Sequence, residues 1–479
     1  MKEGEAGAHQ NRHHIVIVPS PGIGHLIPLA EFGKRILKFH DFSLTFLIPT
    51  DGSPTKSQAS FLETLPNSFG YEFLPPPNPD NLPLGAGVTS RILHVMNQCV
   101  PAVAMSIRAM TESSNLVAIV IDLFGTKMLD LAQEFRVPAY LLYTCSAFSL
   151  GASMYLPKLH DSCACEYRDL PGPVKVFPGS VLVHGVDFTE STQDRKAEAY
   201  RNFLGNTERY KEAAGIIVNS FQDLEPAAFN ALSDCKDIPP TYAVGPLIQT
   251  CLKGPLNGSE HSLQWLDEQP SRSVLFVSFG SGGTLSHEQL KELAFGLEMS
   301  GQRFLWVIKS PSDRAPNASY FSQESIDDPF RSLPDGFLDR TSRLGLVVSS
   351  WAPQIQILSH GSTAGFLSHC GWNSTLESIA NGVPLIAWPL FAEQRLNAVE
   401  LADDLKVAIR VKPNEFGIVE RQQVADCVKE LIEGGEEGKS LRKRMQVLRD
   451  SAEASVGEGG QSTKRLEDLV HIWKARGVL

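Results

Sequence analysis

The chain alternates short, wholly apolar runs with amphipathic segments, and it does so in two successive cycles. The first cycle opens with Ile15-Val-Ile-Val18, is broken by Pro19-Ser-Pro-Gly-Ile-Gly24, and continues into apolar positions at Leu26, Leu29, Ala30, Gly33, Ile36 and Leu37. Spacings of three and four put that stripe on one face of a helix. Further apolar runs stand at Leu44–Ile48, Leu116–Ile121, Ala139–Tyr143 and Gly215–Val218, with mixed segments such as Lys127–Phe135 between them. Strands that are apolar on both faces and alternate with helices build a parallel sheet covered on both sides. The expected class is α/β.

The second cycle repeats the pattern. Val274–Phe279, Phe304–Ile308, Leu346–Val348, Gly365–Ser368 and Leu385–Trp388 read as strands. Ser286-His-Glu-Gln289 reads as a capping box opening a helix with Leu290, Leu293, Ala294 and Leu297 on one face. The polar, aperiodic stretch from Ala315 to Arg340 reads as a long loop. Between the cycles, after Gly245-Pro246, the chain from Leu247 to Ser262 is rich in Gly, Pro, Asn and Ser. A chain of 479 residues exceeds what one core usually supports. The expectation is therefore an N-terminal domain over 1–248, a linker over 249–262 and a C-terminal domain over 263–479, both doubly wound, with the last helix able to pack back on the first domain. Ligands in such sheets sit outside the carboxyl ends of the strands, which places the expected site in a cleft between the two.

Composition narrows the function. A formal charge of −11 argues against nucleic acid as a partner. No stretch approaches the roughly 20 apolar residues that span a bilayer, and the polar residues before the first strand offer no signal core. The expected location is the cytoplasm, with the scattered cysteines as free thiols. Cys163-Ala-Cys165 is the only close pair, and no His or Cys cluster completes a metal site around it. In that compartment the sequons at Asn257, Asn317 and Asn373 would meet no glycosylation machinery.

Chemistry concentrates in three pieces, each just after an expected strand: Trp351-Ala-Pro-Gln354, Ser368-His-Cys-Gly-Trp-Asn-Ser-Thr-Leu-Glu-Ser378 and Ala392-Glu-Gln394. All three would open onto one edge of the sheet. His369–Ser374 is a strand-to-helix turn whose Gly371 lets backbone approach a ligand, and a helix start of this kind suits a diphosphate. Glu377, one turn in, would aim a carboxylate at nearby hydroxyls. Blander readings stand beside these. Ser374–Glu377 has the spacing of a capping box, and Trp351 or Trp372 could be core. After the first strand the chain lacks a complete Gly-x-Gly-x-x-Gly fingerprint, which counts against a nicotinamide oxidoreductase.

Taken together, Trp351 to Gln394 resembles the signature box of the plant family 1 UDP-sugar-dependent glycosyltransferases, and the likeness extends from Pro19 past Gln394. It implies the two-domain GT-B fold and roles position by position. Trp351 would stack on uracil, the Ala352 backbone would read its edge, and Gln354 and Glu377 would bind ribose. His369, Gly371, Asn373 and Ser374 would hold the diphosphate together with Ser281 and Gly282. Trp372, Glu393 and Gln394 would bind the sugar, and Gln at the final position goes with glucose. His25 matches the family's catalytic base and Asp122 its acidic partner. That pair would deprotonate a weakly nucleophilic hydroxyl as it attacks. No Asp-x-Asp pair is present, so no metal or other cofactor is expected beyond the co-substrate UDP-glucose.

For the acceptor, Ile23, Leu123, Phe124, Tyr143 and Phe391 would form apolar walls suited to a flat phenol. Asp122–Thr126, Leu47–Gly52 and Ser278–Thr284 look like the branch that glucosylates hydroquinone, phenylpropanoid alcohols and similar phenols. Flavonoid or terpenoid acceptors, another UDP-sugar, and a non-catalytic nucleotide-sugar-binding protein remain the alternatives. A monomer with small-molecule partners is expected.

Overall fold

A computed structural model describes residues 12–66, 68–78, 87–249, 260–318, 320 and 328–476. The chain divides into two compact units, one comprising Met1–Val186, Ser191–Ile248 and Ala454–Leu479, the other Asp187–Glu190 and Gln249–Glu453. Most of the expected linker, 250–259 with the sequon at Asn257, lies outside the described residues.

The first unit carries strands β1 (His13–Val18), β2 (Phe42–Ile48), β3 (Phe69–Phe73), β4 (Asn115–Asp122) and β5 (Ala139–Tyr143). A short antiparallel pair follows, β6 (Val174–Lys175) and β7 (Leu182–Val183), and then β8 (Ile216–Val218) and β9 (Thr241–Ala243). Seven of these form one sheet in the order β3-β2-β1-β4-β5-β8-β9, with every neighbouring pair parallel. The second unit carries β10 (Val274–Ser278), β11 (Arg303–Ile308), β12 (Gly345–Ser349), β13 (Thr363–Ser368), β14 (Leu385–Ala387) and β15 (Ala408–Arg410), ordered β12-β11-β10-β13-β14-β15 and again parallel. In each sheet the order reverses beside its first strand, between β1 and β4 and between β10 and β13. Those are the switch points where α/β sheets open a crevice.

Five strands were absent from the sequence reading, and β6 and β7 are the two-residue antiparallel pair. β3, β9 and β15 are edge strands, and an edge strand lacks a covered neighbour on one side. Such a strand can be polar on its open side: β3 is Phe-Gly-Tyr-Glu-Phe, with Gly70, Tyr71 and Glu72 all exposed. The stretch from Ala315 to Arg340 is not wholly a loop. A 3-10 turn forms at Pro329–Ser332 and a helix starts at Phe337, which is buried against Phe304 and Trp306; residues 319 and 321–327 lie outside the described residues.

Each unit has its own core. In the first, Ile15, Ile17, Phe32, Phe46 and Val120 pack with Leu469 and Trp473 of the helix Gln461–Arg476. Trp473 is fully buried and meets Phe32, Phe42 and Tyr140 at ring distances of 6.3, 6.4 and 5.4 Å. Removing a side chain of that size from a packed interior costs about 3–5 kcal/mol. In the second unit Leu275, Val277, Leu293, Trp306 and Val424 form the centre. Ser286 caps the helix His287–Ser300 through the Gln289 N–H. The other half of the expected capping box is different: the Gln289 side chain bonds the Val419 backbone in both directions, at 2.9 and 2.8 Å.

Candidate active site

In the first unit β1 ends at Val18 and the helix Ile23–Ile36 begins after Gly22, which takes a φ of 113° and leaves the helix start without a side-chain cap. His25 is the third residue of that helix. Asp122 ends β4, across the switch point, with no exposed surface. The Nδ1 of His25 lies 3.0 Å from Asp122 Oδ2, and the Thr144 hydroxyl lies 3.4 Å from the same nitrogen. The other carboxylate oxygen, Oδ1, accepts from the Ser20 hydroxyl at 2.6 Å and from the Phe124 N–H at 3.4 Å. A carboxylate on Nδ1 fixes the proton there and assigns the lone pair to Nε2, the form a general base needs.

The ring of Phe124 stands edge-on to His25 at 5.7 Å, and Ile23 is half-buried beside it in sequence. Leu123 is buried. Tyr143 departs from its expected role as an acceptor wall. It is 3% exposed, its ring meets the fully buried Tyr210, and its hydroxyl lies 3.2 Å from both Ser149 and Ser153. The helix Ala147–Ser162 supplies those two serines and draws the ring into the core.

In the second unit the sequence-predicted residues gather at the carboxyl ends of the strands. His369 follows β13 and is buried. A Cβ on Gly280 would stand 2.4 Å from its ring, and one on Gly371 would stand 2.5 Å from it. Gly280 also has φ +70, so this position excludes a side chain twice over. Gly371 has an ordinary φ of −62°, and the residue in the left-handed region is its neighbour Cys370, at 65°. Asn397 donates to the Cys370 carbonyl at 2.9 Å and holds that turn. Burial, reinforced by the Lys309 charge, pushes the His369 pKa down to about 3, so the ring is neutral. Its Nδ1 is buried with no hydrogen-bond partner among the described residues, a contact point left for a ligand.

The helix Trp372–Asn381 is capped by Gly371 without a side-chain bond and stops at Gly382 in the left-handed conformation. Ser374 is thus inside the helix, and Ser374–Glu377 is no capping box. The same spacing puts both side chains on one face, where Gln354 Nε2 donates to Ser374 Oγ at 2.9 Å and to Glu377 Oε2 at 2.6 Å. Burial raises the Glu377 pKa to about 7. Trp351, after Ser350 with φ 66°, is 51% exposed, an open aromatic face. The Ala352 carbonyl accepts from the Gln354 N–H at 2.8 Å. Asn373 is half-buried at the second helical position, whereas Trp372 is buried.

The loop after β14 carries the remaining residues. Gln394 Oε1 accepts from the N–H groups of Leu390 and Phe391 at 2.9 and 3.0 Å, which leaves its amide nitrogen as the end that can donate to a sugar. Glu393 accepts from Asn397 at 3.2 Å, and Phe391 is 8% exposed. Ala392 has φ 54° and is pinned by Glu190, whose N–H and carboxylate bond both of its backbone groups. After β10, Lys309 donates to the Gly280 and Ser281 carbonyls, and a Cβ on Gly282 would meet Tyr320 at 2.8 Å. Ser20, Thr144, Glu190, Lys309, Tyr320 and Asn397 were missed from sequence. They act through tertiary contacts that leave no local pattern. Among the described residues, no three His, Cys, Asp or Glu side chains converge to hold a metal.

Residues 257–446 match the family described as UDP-glucoronosyl and UDP-glucosyl transferase. Over 462 residues the sequence is 50% identical to hydroquinone glucosyltransferase from Rauvolfia serpentina, covering 96% of this chain and 98% of that one. The chain is a UDP-glycosyltransferase. Solved structures of such enzymes superpose along its length. UGT2 of Phytolacca americana, complexed with UDP-2fluoro-glucose and pterostilbene, has a TM-score of 0.88 at 47% identity, covering 96% of this chain and all of the other. A UDP-glucosyltransferase from Polygonum tinctorium capable of glucosylating indoxyl, in complex with 3,4-dichloroaniline, has a TM-score of 0.89 at 43% identity, covering 97% and 99%. This UDP-glycosyltransferase therefore has the GT-B fold, and its paired doubly wound sheets are the two halves of that architecture.

Proposed function

We propose that this UDP-glycosyltransferase moves glucose from UDP-glucose to the hydroxyl of a small phenol with inversion, and that His25 is the general base. The 3.0 Å contact between His25 Nδ1 and the fully buried Asp122 carries the reading. A phenol is a weak nucleophile near neutrality. As its oxygen bonds to the anomeric carbon, its proton passes to His25 Nε2, and Asp122 stabilises the resulting imidazolium. The bond from that carbon to the β-phosphate oxygen breaks, and its electron pair leaves on UDP. Attack opposite the leaving group gives a β-glucoside. Trp351 offers the stacking face for uracil, Gln354, Ser374 and Glu377 the polar cluster for ribose and phosphate, and neutral His369 with the uncapped helix start the donors for the diphosphate.

The acceptor assignment rests on the 50%-identical relative named for hydroquinone and on the apolar ring of Phe124 against His25. No metal ion enters this scheme, so transfer should persist in excess EDTA. Incubating the protein with UDP-glucose and hydroquinone, then reading product mass and anomeric coupling by mass spectrometry and NMR, tests the whole. A monoglucoside with β coupling is expected. An α-glucoside, or turnover confined to non-phenolic acceptors, would overturn the reading.

A further inference from the structure

Lys309 follows β11 and takes no part in the roles assigned above. Its ammonium reaches beneath the turn after β10 and donates to two successive carbonyls, those of Gly280 and Ser281. In a planar trans peptide the carbonyl of one residue and the N–H of the next point in opposite directions. Anchoring both carbonyls on one ammonium therefore turns the N–H groups of Ser281 and Gly282 to the opposite side. Consecutive N–H groups facing one way form the concavity that binds an anion. The turn is also tightly packed: a Cβ on Gly280 would crowd the His369 ring, and one on Gly282 would crowd Tyr320.

We propose that Lys309 is a positioning residue for the donor diphosphate: it aims the Ser281 and Gly282 N–H groups and places an ammonium beneath them. The proposal rests on reading these strand ends as a nucleotide-diphosphate site. The charge reaches that site, since Lys309 is one of the two causes that hold His369 neutral. Burial lowers the Lys309 pKa to about 8, and an anion bound nearby holds the proton on. No sequence pattern marks the residue, because a lysine after a strand is ordinarily a solvated end.

The experiment compares Lys309→Met, Lys309→Gln and Lys309→Arg with the unaltered protein. It measures inhibition constants for UDP and for uridine, the KM values for UDP-glucose and for the phenol, and thermal melting. Lys309→Met should weaken UDP about tenfold or more, the scale of one lost charge-assisted hydrogen bond, and raise the KM for UDP-glucose similarly. Uridine inhibition and the KM for the phenol should stay within twofold. Lys309→Arg should recover most of the UDP affinity. If Lys309→Met does not fold, Lys309→Gln carries the same expectation. Unchanged UDP inhibition in a folded variant, or equal losses for UDP and uridine, overturns the proposal while leaving the donor site intact. Failure of UDP to inhibit the unaltered protein would instead sink the donor-site reading itself.

Discussion

Each sheet places a histidine at its switch point, and the two are set up in opposite ways. His25 follows β1 and faces a buried carboxylate at 3.0 Å, a partner that stabilises the charged ring. His369 follows β13, is wedged between two glycines, and is kept neutral by burial, with the Lys309 ammonium adding to the effect. On the proposed mechanism one gains a proton during the reaction, and the other stays a neutral hydrogen-bonding group. Fold position alone therefore does not set a histidine's protonation; its burial and its charged neighbours do. The halves also differ in how function is divided. In the proposed mechanism the first sheet contributes a single bonded pair, whereas the second contributes residues from several strand ends.

That contrast predicts unequal mutational effects. The largest belongs to the bonded pair: His25→Ala should lower kcat on a phenol by roughly 10²–10⁴-fold, the range for a lost general base. UDP affinity measured by calorimetry should be unchanged. Retained kcat would remove the asymmetry between the halves. Trp351→Ala should weaken UDP by about 10–100-fold, the worth of one base stacked on an aromatic face. It should leave kcat at saturating UDP-glucose nearly intact, and an unaltered UDP affinity would end the stacking assignment.

Glu377 tests the second sheet by pH. Its folded pKa, about 7, lies above the ordinary 4.5, so between those values the folded chain holds a proton that the unfolded chain releases. Stability linked to this group is intact below pH 4.5 and is lost as pH rises to about 7, by no more than about 3 kcal/mol. Urea unfolding of Glu377→Gln across that window should lack the decline, and parallel curves for both proteins would refute the burial argument. The smallest effect is expected for Ser20→Ala, which removes one hydrogen bond to Asp122. A loss of about 1 kcal/mol in transition-state stabilisation corresponds to a several-fold fall in kcat. A fall as large as that for His25→Ala would show that Ser20 does more than orient.

The central strands of both sheets were legible because burial on both faces writes a continuous apolar run. β3, β9 and β15 escaped because their apolar runs are short or broken by polar residues, whereas the edge strand β12 keeps Leu346-Val-Val348 and was legible. In the site, the Trp351–Gln394 box was legible because its residues are contiguous around three strand ends. His25 and Asp122 are 97 residues apart, and only the family resemblance joined them. Residues whose work is to hold another residue left no trace: Asn397 on Cys370, Glu190 on Ala392, and Lys309 on the turn after β10. Tyr143 misled because a strand-end aromatic looks alike from sequence whether it faces a pocket or a serine-lined helix.

Trp473 also bears on how the protein comes to be made. Chains emerge from the ribosome amino end first, and domains generally fold in that order. Here the first sheet is synthesised early, but a helix that packs into its core, Gln461–Arg476, follows the whole of the second unit. The unit begun first is thus the last completed. During synthesis its apolar floor waits uncovered while the second unit is produced, a window in which a chaperone would have something to hold. Any attempt to express the first sheet alone must carry the distant tail with it.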